Sequence, residues 1–200
     1  MMRALLALSL LLPAAGTLPL TAQVDYNARL GATFATALVQ DRIINPIEAR
    51  QRLAPTLALG AALPIASLYR AGLEATLTTS GYRSDESGTT TDLGTVRTGT
   101  ITLGLDGPIA STVRWRAGVG LLRYWPSENS GIFLRGGTTR YLAGAGLDYR
   151  RAIMSKWDLM ASLRYDFHRF TTDELRARGF SQSQGVQRIS ASLGLSGGAR

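Results

Sequence analysis

The chain has 200 residues, no cysteine and a formal charge of +8. That length suits one domain with a full core, and the missing cysteine excludes a disulfide framework and a thiolate metal site. The charge could suit a nucleic-acid partner, but Lys156 is the only lysine and the arginines are scattered without a basic run, so no nucleic acid is expected.

The first 22 residues read as a signal peptide. Arg3 supplies a positive start, Ala4 to Leu12 an apolar run, and Pro13, Ala14, Ala15 and Gly16 open a small-residue region, with cleavage after Ala22 or Gly16. The run falls short of the about 20 apolar residues that a membrane-spanning helix needs. Residues 23–200 then form one domain, exported, without a transmembrane helix and, lacking cysteine, without a lipoprotein anchor.

Eight segments of that domain alternate apolar and polar residues, the mark of half-exposed strands. In the first, Tyr26, Ala28, Leu30, Ala32, Phe34 and Leu38 oppose Asn27, Arg29, Gly31 and Thr33. In the second, Leu53, Pro55, Leu57, Leu59, Ala61 and Leu63 oppose Thr56, Ala58, Gly60 and Ala62. In the third, Tyr69, Ala71, Leu73, Ala75 and Leu77 oppose Arg70, Gly72, Glu74, Thr76 and Thr78. In the fourth, Ile101, Leu103 and Leu105 oppose Thr98, Thr100, Thr102, Gly104 and Asp106.

The second half repeats the scheme. Val113, Trp115, Ala117, Val119 and Leu121 oppose Arg114, Arg116, Gly118 and Gly120. Tyr141, Ala143, Ala145, Leu147 and Tyr149 oppose Arg140, Gly144, Gly146, Asp148 and Arg150. Trp157, Leu159, Ala161, Leu163, Tyr165 and Phe167 oppose Asp158, Ser162, Arg164, Asp166 and His168. Ile189, Ala191, Leu193 and Leu195 oppose Arg188, Ser190, Ser192, Gly194 and Ser196.

The connections alternate long and short. Short turns fall at Pro64-Ile65-Ala66-Ser67, Gly107-Pro108-Ile109-Ala110-Ser111 and Arg151-Ala152-Ile153-Met154-Ser155, the first two sharing Pro-Ile-Ala-Ser. Longer polar segments occupy 40–52, 82–95, 125–139 and 169–185. This predicts an all-β protein: an eight-stranded antiparallel up-and-down transmembrane β-barrel with short periplasmic turns and longer outer loops.

A soluble ligand-binding barrel in the periplasm would alternate too, with its apolar face inward. Three features turn that face outward. Aromatic residues form two girdles, Tyr26, Tyr69, Trp115, Tyr149 and Trp157 near the short turns and Tyr141, Tyr165 and Phe167 near the long loops, as at bilayer interfaces. Glycines crowd the polar face, leaving room in a narrow lumen for long arginines. That face also carries both signs of charge.

A lumen charge network is therefore expected from Arg29, Arg70, Glu74, Asp106, Arg114, Arg116, Asp148, Arg150, Asp158, Arg164, Asp166, His168 and Arg188. Buried charges must pair or neutralise. Counting across hairpins predicts Asp166 opposite Arg188 and Asp106 opposite Arg114. It also brings Asp148 close to Asp158, with Arg116 and Arg150 near enough to neutralise both.

These residues resemble the small eight-stranded outer-membrane barrels of the OmpA/OmpX type along the whole mature length, by architecture rather than by a diagnostic motif. The resemblance implies a packed interior and action through outer loops or as a structural anchor. It also implies insertion by the barrel assembly machinery, which reads a terminal aromatic residue. This chain departs there, ending Leu195-Ser196-Gly197-Gly198-Ala199-Arg200.

Chemistry finds little support. Lipid A deacylases of this size use a His and a Ser on neighbouring strand positions, but His168, the only histidine, is followed by Arg169-Phe170-Thr171-Thr172. Gly118-Val119-Gly120 and Gly144-Ala145-Gly146 lie within strands and precede no helix, so they are not nucleotide loops. The loop carboxylates Asp85, Glu86, Asp92, Glu128, Asp173 and Glu174 lack calcium-loop spacing, and neither metal nor cofactor is expected. Loop arginines, Arg83, Arg135, Arg140, Arg176 and Arg178, could meet lipopolysaccharide phosphates.

The expected function is a structural or surface-interaction protein of a Gram-negative-type outer membrane, monomeric, non-enzymatic, plugged by ion pairs and partnered by outer-membrane lipid and lipopolysaccharide. The rivals are a narrow channel for small solutes, a lipid-modifying outer-membrane enzyme and a periplasmic ligand-binding barrel.

Overall fold

A computed structural model describes residues 24–41, 47–86, 88–180 and 182–198. The expected signal peptide lies outside the described residues.

Eight long strands close a single antiparallel barrel: β1 (Asp25–Ala35), β4 (Ala54–Pro64), β5 (Arg70–Glu86), β6 (Thr89–Pro108), β7 (Val113–Pro126), β8 (Thr139–Met154), β9 (Trp157–Phe170) and β10 (Gln184–Gly197). Each pairs with its sequence neighbour, and β1 pairs with β10 to complete the ring. Two short strands, β2 (Val39–Asp41) and β3 (Ile47–Gln51), lie in the first long connection, where β3 pairs with the far end of β5. Ten strands are thus described, eight of which form the wall.

The apolar face looks outward along every wall strand. Leu30 is 69 % exposed, Ile101 60 %, Leu103 63 % and Leu193 63 %, while Arg29 and Glu74 are 3 % and 4 % exposed. So wide an exposed apolar band has no stable place in water. Leu38 departs from its expected face: it is fully buried, because β1 stops at Ala35 and the chain folds over the barrel end.

The two Pro-Ile-Ala-Ser turns share a hydrogen-bond pattern. Ile65 N and Ala66 N donate to Tyr69 O; Ile109 N and Ala110 N donate to Val113 O. The third short turn is tighter than expected, because β8 runs on to Met154 and only Ser155 and Lys156 separate it from β9.

Residues 82–86 and 89–95 extend two strands and do not form a free loop. β5 and β6 reach 17 and 20 residues and continue pairing to Glu86 and Thr89. The alternation persists there, with Tyr82 and Ser84 buried between exposed Arg83 and Asp85. The register shifts between Gly81 and Arg83, opposite Gly94, whose φ of 75° a residue with a side chain rarely adopts.

Candidate functional site

The lumen is built in layers, each placed by strand parity. At the short-turn end, Asp106 of β6 accepts from Arg70 Nε at 3.0 Å, Arg70 Nη2 at 2.7 Å and Arg114 Nε at 2.5 Å. Arg70 also donates to Asp25, and Arg150 Nη1 lies 3.5 Å from the same carboxylate. In the β6–β7 ladder Asp106 stands opposite Arg116, and Arg114 opposite Pro108, so the expected register was two residues off; the long Arg114 side chain still reaches Asp106 diagonally. The sequence reading missed Asp25, although it shares the inward parity of Asn27 and Arg29.

The central layer gathers around Glu74. Its carboxylate accepts from Arg29 and Arg116, and from Arg164 Nη1 at 2.5 Å. Arg116 Nη2 also donates to Asp148 at 2.7 Å, which Ser162 Oγ supports at 2.7 Å; Arg164 Nε donates to Asp166 at 2.8 Å. Arg29 Nε is held by Asn27 Oδ1 at 3.1 Å. Three carboxylates and three guanidiniums from five strands therefore balance within the low-dielectric interior. Glycine makes the crowding possible: a Cβ at Gly144 would lie 2.0 Å from Asp166 Oδ1.

Asp148 and Asp158 do not come together. Asp148 faces Ser162 across the β8–β9 ladder, whereas Asp158 faces Ala152, because β8 runs past the expected turn. Arg116 pairs with Asp148 as expected, while Arg150 lies within ion-pair distance of Asp25.

Above the charges runs a belt of hydroxyls. Thr33 Oγ1 lies 2.6 Å from Thr56 Oγ1 and 2.8 Å from Ser190 Oγ, and Thr76 Oγ1 lies 2.6 Å from Thr100 Oγ1.

At the loop end of the lumen the described residues gather into an apolar and aromatic cap. Tyr82, Val96, Leu122, Tyr124, Leu142, Phe170 and Val186 point inward from the wall and are buried. They meet Leu38 and Val39 from the first connection, and Ile132, Phe133 and Leu175 from above. Tyr124 and Phe170 pack edge to face with ring centres 5.1 Å apart. The loop residues ride on a 3-10 turn, Gly131–Phe133, and a short helix, α1 (Asp173–Ala177). Thr172 Oγ1 joins them, donating to Ile132 O at 2.7 Å and accepting from Leu175 N at 3.1 Å.

The sequence reading expected ion pairs alone to plug the barrel and missed this cap. Its signal was present: Leu122, Tyr124, Leu142, Phe170 and Val186 all hold lumen parity at the loop end of their strands.

His168 and Arg188 sit at the boundary of cap and polar layers. His168 Nε2 lies 2.7 Å from the Tyr124 hydroxyl. Arg188 stands opposite Asp166 in the ladder, yet its Nη2 reaches across to Thr98 Oγ1 at 3.2 Å. His168 Nδ1, Tyr82 Oη and Arg188 Nη1 have no protein hydrogen-bond partner. Among the described residues no group of three or more His, Asp or Glu is placed to hold a metal ion.

The aromatic residues expected to form girdles stand on the outer face of the wall. At the short-turn end Tyr26, Tyr69, Tyr149 and Trp157 are exposed, and Trp115 is half-buried with its ring 6.4 Å from that of Tyr69. At the loop end Tyr141, Tyr165 and Phe167 are exposed, and Trp125, unnoticed in the sequence, joins them. Several of these rings cover glycines: a Cβ on Gly107 would meet Trp115, on Gly99 Trp125, on Gly197 Trp157. A flat ring thus fills the gap a glycine leaves in the wall.

No family model and no curated protein sequence matches the chain. Solved structures do. The outer membrane protein OprG from Pseudomonas aeruginosa is similar at 10% identity and a TM-score of 0.55, covering 90% of this chain and 96% of that one. The outer membrane protein AlkL, in DMPC lipid bilayers, is similar at 14% identity and a TM-score of 0.58, covering 88% and 90%. Neisserial surface protein A is similar at 13% identity and a TM-score of 0.52, covering 88% and 97%. The chain has the fold of these small eight-stranded outer-membrane β-barrels.

Proposed function

We propose that this barrel resides in the outer membrane of a Gram-negative-type bacterium after signal-peptide export, and acts there as a monomeric structural or surface-interaction protein with a closed lumen and no catalysis. One observation carries the reading: two cavities in the lumen, one between Asp106 and Glu74 and one between Glu74 and the hydroxyl belt, hold only about 30 and 20 Å³. Each has room for a water or two, and the cap seals the loop end above them.

The outward apolar band supports outer-membrane lipid and lipopolysaccharide as surroundings, and the short-turn end then faces the periplasm. The barrel assembly machinery would insert a chain whose last described strand closes on β1. Against catalysis stands the environment of His168, whose close partner is a tyrosine and not a serine.

Reconstitution into planar bilayers tests the closed lumen: no large steady conductance is expected, and a stable open channel of porin size would reject it. Cell fractionation with heat-modifiable gel mobility tests compartment and closure together.

A further inference from the structure

Two open apolar grooves run along the outer wall. One, of about 700 Å³, lies across β4, β1 and β10 between Tyr26, Leu57 and Leu193, and its only charged lining residue, Arg29, is buried in the lumen. The other, of about 930 Å³, crosses β7, β8 and β9 between Leu121, Tyr141, Ala143 and Phe167. Its floor is small at Ala143, and Tyr141 stands 85 % exposed beside it.

Only the second groove has a basic mouth. Arg140 and Arg169 line its loop end together with Thr139, Thr171 and Ser183. Arg123 stands opposite Thr139 in the β7–β8 ladder and donates Nη1 to its hydroxyl at 2.8 Å. Arg123 and Arg169 are exposed, and among the described residues neither forms an ion pair. Arg140 Nε has no protein partner. Three of the five loop arginines expected to meet phosphates are engaged with carboxylates, Arg135 and Arg178 with Glu174 and Arg176 with Asp173. Arg123 and Arg169 lie on β7 and β9, two strand spacings apart and staggered by two residues, or about 12 Å, a gap two long arginine side chains can close around one phosphate.

We propose that the β7–β9 groove binds a phosphorylated, multiply acylated glycolipid of the outer leaflet. Its acyl chains lie between Tyr141 and Phe167, and a headgroup phosphate is held by Arg123 and Arg169. This rests on the membrane placement proposed above, which puts the loop end at the outer leaflet. The breadth of the groove favours several acyl chains over one, and its mouth supplies the charge complement to a phosphate.

The test uses the full barrel in detergent micelles, titrated with diphosphorylated lipid A, its dephosphorylated form and phosphatidylglycerol, read by native mass spectrometry. Lipid A should bind best, and each of Arg123→Gln and Arg169→Gln should weaken it about tenfold. Arg151→Gln, exposed at the short-turn end, should leave it unchanged. Equal binding of the dephosphorylated lipid or of phosphatidylglycerol to the wild type, or full binding by the double variant, would overturn the site. The wild-type comparison stands even if a variant fails to fold. A chain that fractionates as soluble, without heat-modifiable mobility, would instead reject the membrane placement itself.

Discussion

Arg29 and Glu74 lie 45 positions apart in the chain and meet in the middle of the lumen, almost wholly withdrawn from solvent. Glu74 is the shared acceptor of three guanidiniums, and its loss falls hardest on Arg29, whose other carboxylate, Asp148, lies 3.9 Å away, while Arg116 and Arg164 keep Asp148 and Asp166. Glu74→Gln should lower unfolding stability in micelles by roughly 3–5 kcal/mol, the usual penalty for an orphaned buried charge. Denaturant titration followed by gel mobility measures it. A variant of unchanged stability but altered ion selectivity would favour the narrow-channel rival.

The cap should behave as a true hydrophobic core. Phe170 is fully buried and packs on both Tyr124 and Phe133. Phe170→Ala should cost about 3–5 kcal/mol by opening a cavity among these rings. The same titration reads this loss, and a value under 1 kcal/mol would mean the cap is loosely packed.

The outward band distinguishes hydrocarbon from water directly. Leu103→Arg, on a residue 63 % exposed within the band, should lower stability in lipid vesicles by about 2–4 kcal/mol. An exposed site on a soluble protein would change by about 0.5 kcal/mol or less. Comparing vesicles with a zwitterionic detergent shows whether the penalty belongs to the bilayer.

Acid should loosen the loops before the wall. Arg178 holds the Glu174 carboxyl below its ordinary value of 4.5 through a hydrogen bond, and Arg135 adds to the effect. A depressed carboxyl stabilises above its unfolded value and loses that contribution as pH falls through the folded one. Amide exchange in α1, corrected for its intrinsic pH dependence, should stay constant from neutral pH to about 4.5 and rise only below it. Glu174→Gln should show the faster exchange already at neutral pH.

Much of the lumen could be read from parity alone. Arg29, Glu74, Arg116, Asp148, Arg164 and Asp166 are all inward residues in the alternation, and the Asp166–Arg188 register follows from counting the last hairpin. What counting could not provide was the side-chain path: Arg188 bypasses Asp166 for Thr98 on the opposite wall. Asp148 and Asp158 separated because a tighter turn lengthened β8, a shift that a few ambiguous residues near Met154 conceal. The cap escaped notice because Leu122 and Leu142 look like interruptions of a polar face until closure brings them together.

By itself, the order of residues determined the strands, their faces, the alternation of turns and loops, and the inversion that puts leucine outside. These are local properties with a period of two, written within each segment. Only the tertiary structure decided which charges share Glu74, where the polar lumen gives way to an apolar and aromatic cluster, and which arginines gather at the loop end of one outer groove. Those depend on how eight strands stagger as the ring closes, and that stagger joins residues whose separation along the chain carries no periodic trace.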